Sequence, residues 1–120
     1  MATFSKLVLS GSTDGRLIKV AQTATAGTTL HTGSATATTI DEVWLYAQNN
    51  HTADVLLTVE FGGVSNPDDL IQVTVPFKEG LFLIVAGMPI KGNATPLVVR
   101  AFAATANVIS IGGYVNRITA

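Results

Sequence analysis

The strongest constraint on this chain is a side-chain period of two. From Asp41 to Gln48, Val43, Leu45 and Ala47 fall on one side and Trp44 and Tyr46 on the other. From Ala53 to Gly62, Val55, Leu57, Val59 and Phe61 separate in the same way from Leu56, Thr58 and Glu60. Alternation of this kind puts one face of an extended strand into a core and the other outside it. No segment carries apolar residues at i, i+3, i+4 and i+7 over three turns, so helices are not expected. Eight or nine strand-like runs recur about every ten to fifteen residues, separated by Gly-, Pro-, Asn- and Asp-rich stretches, the spacing of a sandwich or barrel.

The predicted architecture is a single all-β domain over residues 1–120: a two-sheet antiparallel sandwich, jelly-roll-like. An immunoglobulin-like sandwich ranks second, lacking the Cys–Trp–Cys framework, and a small barrel third. Phe4 to Ser10 and Arg16 to Gln22 flank Gly11-Ser12-Thr13-Asp14-Gly15 and are expected to form a hairpin. Residues 23–39 form a Thr-, Ala- and Gly-rich loop, flexible except for one short strand around Thr28 to Thr32. The continuously apolar Leu81 to Val85 is expected to be buried on both faces. Gly112-Gly113, inside the last strand, marks a bulge, a bend or a close backbone approach.

A chain of 120 residues is long enough to bury a core without staples, and with no cysteine it has none to use. Charged residues are 12% of the chain and the net charge is −1, too little field to hold a polyanion, so nucleic acid is not an expected partner. Its longest apolar run is far short of the ~20 residues of a membrane helix, and the start shows no secretory signal, so no membrane partner is expected. So few charges leave Ala, Thr and Val on the outside, a surface that solvates weakly and favours self-association.

The residue chemistry offers no catalytic, cofactor or metal site. His31 and His51 lie twenty residues apart in polar surroundings and are expected at the surface or an interface. Asp41 and Glu42 are strand neighbours and point to opposite faces, so they do not act together on one substrate atom. Asp68 and Asp69 lack the alternating ligands of a calcium loop. The triplets at Asn50 and Asn93 are chance matches in a Thr-rich chain. Arg100, beside Val98 and Phe102, needs a carboxylate, and Glu60 or Glu42 is the expected partner. Trp44 and Tyr46 are expected in the core or an interface, and the candidate interface residues are Trp44, Tyr46, Arg100, Phe102, Tyr114 and Arg117.

The blocks Ser10 to Arg16, Asp41 to Ala47, Asn49 to Thr52, Glu60 to Gly63, Val99 to Ala104 and Gly113 to Ile118 give the chain, over nearly its full length, a resemblance to small virion structural proteins of tailed bacteriophages. That resemblance implies a capsid decoration (cement) protein stabilising the head shell, commonly a homotrimer. Its partners would be itself and the major capsid protein or another virion protein. It would be made in the host cytoplasm and end on the capsid surface. The alternative is a tail- or fibre-associated module binding a receptor or carbohydrate. Either way the resemblance implies a binding protein with no enzymatic activity and no cofactor.

Overall fold

The computed structural model describes residues 2–119, and among these there is no helix. Strands β1 (Thr3–Val8), β2 (Ile18–Lys19), β4 (Thr39–Asn49), β7 (Phe82–Lys91) and β9 (Ile109–Thr119) form one sheet in the order β1-β9-β4-β7, with β2 also on β9. Strands β3 (Thr28–Thr32), β5 (Val55–Phe61), β6 (Leu70–Val75) and β8 (Val98–Ala103) form the second, in the order β3-β8-β5-β6. Every pairing is antiparallel. The all-β sandwich read from alternation is the observed fold. The pairs are nested, β5 with β6, β4 with β7, β3 with β8, and β1 and β2 with β9, so the chain is wound on itself as one doubled ribbon.

The core lies between the sheets and is aliphatic. Val43, Leu45 and Ala47 of β4 and Ile109, Ile111 and Val115 of β9 face Leu57 and Val59 of β5 and Val99, Ala101 and Ala103 of β8, all with no exposed surface. Each such Val, Leu or Ile side chain contributes about 1.5–3 kcal/mol by leaving water, and this apolar layer holds the sheets together.

Two expectations are corrected here. The first two runs do not form a hairpin. β1 pairs with residues 114–119 of β9 and β2 with Ser110 and Ile111, so both lie along the same edge of β9, interrupted by an excursion over residues 9–17. The excursion crosses to the second sheet, where the Gly11 amide donates to the Leu30 carbonyl at 2.9 Å and the Thr32 amide to the Ser10 hydroxyl at 2.7 Å. A Cβ at Gly11 would stand 2.4 Å from the Thr29 carbonyl oxygen, which is why a glycine sits at this crossing. The second correction is β7. It is a sheet edge, with Leu81 and Leu83 exposed, and its register against β4 slips twice, which blunts the edge against further pairing.

At the centre of the first sheet, Gly113 permits a close approach of backbones. A Cβ there would lie 2.0 Å from the Trp44 carbonyl oxygen, so any larger residue would push β9 off β4.

Candidate functional site: the outer face of the first sheet

Alternation on β1, β9, β4 and β7 sends one side chain in two away from the core, and register aligns them in rows. Phe4, Ile118, Ile40 and Lys91 form one row, Lys6, Asn116, Glu42 and Pro89 the next, and Val8, Tyr114, Trp44 and Ala86 the third. Beyond them Tyr46 pairs with Gly112 and Leu83, and Leu17 covers Gly112. Phe4 is 73% exposed, and Val8, Leu17, Ile40 and Leu83 are exposed on the same side. A shallow cavity of about 320 Å³ opens among Phe4, Ser5, Lys6, Glu42, Asn116 and Ile118.

The middle of this face is rigid. The Trp44 and Tyr114 rings stack with centroids 5.9 Å apart and planes 10° from parallel. The Lys6 ammonium sits 4.7 Å from the Tyr114 centroid, and Gly87 lies against the indole on the β7 side, where a Cβ would come within 2.9 Å. The aromatic stack is thus filled from both sides, leaving ring edges outward. Glu42 Oε1 accepts from Trp44 Nε1 at 2.7 Å and from Asn116 Nδ2 at 3.0 Å, and these bonds hold the Glu42 carboxyl below its ordinary range.

The other face of β4 and β9 carries a buried polar network. Arg117 Nε and Nη2 donate to the two Asp41 oxygens at 2.7 and 2.8 Å, a bidentate pair. His31 Nε2, from β3 in the opposite sheet, lies 2.8 Å from Asp41 Oδ2. The Ser10 amide donates to His31 Nδ1 at 3.2 Å, which assigns the ring hydrogen to Nε2 and makes His31 a donor to Asp41. Burial pushes the Asp41 carboxyl up, but the bonds and charge of Arg117 and the bond from His31 pull harder, and the net displacement is down. The same pairing holds the Arg117 guanidinium more firmly charged.

This network resembles the parts of a nucleophilic site without working as one. His31 Nδ1 is engaged by a backbone amide, the Ser10 hydroxyl accepts from Thr32, and His31 and Asp41 are 1% exposed. Its role is to tie the two sheets together and anchor the 9–17 excursion. Among the described residues no cluster of three His, Asp or Glu side chains has the arrangement of a metal site.

The six candidate interface residues therefore separate. Trp44, Tyr46 and Tyr114 share the outer face of the first sheet, Arg100 and Phe102 lie on the outer face of the second, and Arg117 turns to the inner side. His31 is buried within the chain's own fold, whereas a place at the surface or an interface is expected; His51 is half-buried in the turn after β4, where its amide donates to Asn49 Oδ1. Arg100 stands opposite Glu60 in register, yet no ion pair joins them among the described residues. Glu60 instead accepts from the Gly27 amide at 2.7 Å and from the Thr25 hydroxyl, fastening the 23–27 segment over the second sheet. That segment lies within the expected loop over residues 23–39, and the carboxylate that holds it is fully buried.

Scans against protein-family models, curated proteins and solved structures each return no match.

Proposed function

We propose that this chain is a bacteriophage virion structural protein, of the decoration (cement) kind, that stiffens a shell by binding to it and to copies of itself. The observation that carries the reading is the outer face of the first sheet, where exposed Phe4, Val8, Leu17, Ile40 and Leu83 surround a pre-stacked aromatic centre. A wide, rigid, weakly charged face is costly to leave in water and suited to a flat partner surface. The nested strand order supports a jelly-roll reading of the sandwich, an architecture that recurs in capsid proteins. The virion resemblance supplies the particle, with the capsid surface as the location and the major capsid protein as the second partner.

The tail-tip carbohydrate module is less well supported. Sugar stacking needs a free aromatic face, and Tyr114 has Trp44 on one side and Lys6 against the ring, while Gly87 backs Trp44. The deciding experiment compares particles made with and without this chain for survival of heat and low salt. Lower survival without it is expected. Equal survival, or glycan-array binding by the purified chain, would overturn the cement reading.

A further inference from the structure

The rows on the outer face carry an arrangement of charge that selects one occupant. In the second row Lys6 on β1 and Glu42 on β4 lie on opposite sides of Asn116 on β9, and across β1, β9 and β4 the rows either side of it are apolar or aromatic, with Lys91 standing outside them on β7. Resting on the self-association reading, we propose that this face is an isologous interface, occupied by a second copy of the chain related by a two-fold axis running along β9.

Rotation about that axis exchanges the β1 side for the β4 side while keeping each row in place. Lys6 then meets the partner's Glu42 and Glu42 meets the partner's Lys6. Phe4 covers the partner's Ile40, Val8 reaches the partner's Trp44, and Tyr114 meets its own counterpart. An axis along β4 would bring Glu42 against itself and leave Lys6 outside the contact. The Lys6–Glu42 arrangement therefore chooses β9, and choosing it aligns apolar row with apolar row as well.

The area is sufficient. At ~3.4 Å per residue and ~4.8 Å per strand, β9 and β4 with 11 residues each, β1 with 6 and β2 with 2 present roughly 500 Å² of projected face per copy. Two copies reach the ~1,000 Å² at which specific interfaces begin. The stacked Trp44 and Tyr114 and the Glu42 bonds to Trp44 and Asn116 fix the face beforehand, so little side-chain freedom is lost on contact.

Charge reversal tests this with a complementation arm. K6E and E42K each oppose like charges at both symmetry-related contacts, so each is expected to weaken self-association by about ten- to a hundredfold. An equimolar mixture of the two opposes unlike charges at both contacts and is expected to restore pairing, as is the K6E/E42K double variant. Light scattering or sedimentation reads the mass, and far-ultraviolet dichroism with a cooperative urea transition shows that each variant is folded. The wild-type chain is expected at twice 12.5 kDa. A three-copy particle, or pairing unaffected by K6E, would overturn the two-fold interface while leaving the self-association reading intact. A wild-type chain that stays single at ~100 μM would overturn both.

Discussion

Replacing Arg117 with methionine isolates the worth of the buried network. The substitution keeps much of the aliphatic volume and removes both bonds to Asp41, at 2.7 and 2.8 Å, leaving a carboxylate that is 1% exposed with only His31 as side-chain donor. Breaking a buried pair from one side costs about 3–5 kcal/mol. The Arg117 side chain is 28% exposed, so part of its gain is screened by water, and the lower end, about 3 kcal/mol, is the expected loss. In a domain of this size that is a fall in Tm of ~10 °C. The triple variant H31L/D41L/R117M removes every charge at once, leaves the Ser10 amide without its acceptor and is expected to cost only about 1–2 kcal/mol. Urea unfolding at pH 7, with slopes unchanged between variants, measures both. A loss below 1 kcal/mol for R117M, or a triple variant less stable than R117M, would refute the assignment of Asp41 as a buried charge held by its partners.

Acid should act through the same carboxylate. Asp41 titrates below its ordinary value near 3.8, so the unfolded chain binds the proton first; the stability it confers is complete above that value and drains away as pH falls through the lower folded value. Acid unfolding followed by far-ultraviolet dichroism should therefore begin below about pH 4 in the wild type, and the stability gap between wild type and R117M should narrow as pH falls through that range, because without Arg117 burial raises the Asp41 carboxyl and its protonation relieves the unpaired charge. G113A should cost about 3 kcal/mol or leave the chain unfolded, because its methyl would stand 2.0 Å from the Trp44 carbonyl oxygen; an unchanged urea midpoint would contradict that contact. E60A should speed hydrogen exchange at the Gly27 amide, whose acceptor it removes, by about tenfold or more while the β4–β9 amides stay protected; equal protection at Gly27 would show that something else holds the segment.

Strand positions were legible wherever burial is one-sided. β4 and β5 follow their alternation, and β3 occupies Thr28–Thr32 within the featureless stretch because Leu30 is its one large core side chain. Turn composition misled at Gly11 to Gly15, since a Gly- and Asp-rich segment serves equally for a hairpin and for an excursion to another sheet. An apolar run misled at β7, because continuous hydrophobicity does not distinguish a central strand from an edge whose outer face is left exposed. Three of the six candidate interface residues, Trp44, Tyr46 and Tyr114, lie on the outer face of the first sheet, where their aromatic character pointed. The Asp41–Arg117 pair was missed, although parity carried the signal: Asp41 shares the inward side with Val43 and Arg117 with Val115, and a carboxylate facing a core needs a cation. His31 had no comparable signal, because its partner stands on the opposite sheet and only the assembled sandwich brings them together.

The position of β9 between β1 and β4 has a kinetic consequence. It follows in the chain both strands it joins, so as synthesis proceeds the sheet's neighbours exist before the strand that links them. Lys6 must find Asn116, and Asp41 must find Arg117, across most of the polypeptide, a loop closure that is paid in entropy before any contact rewards it. Folding should therefore be slow, with a nascent chain that stops short of Ile109–Thr119 unable to close its larger sheet and dependent on remaining soluble until β9 arrives.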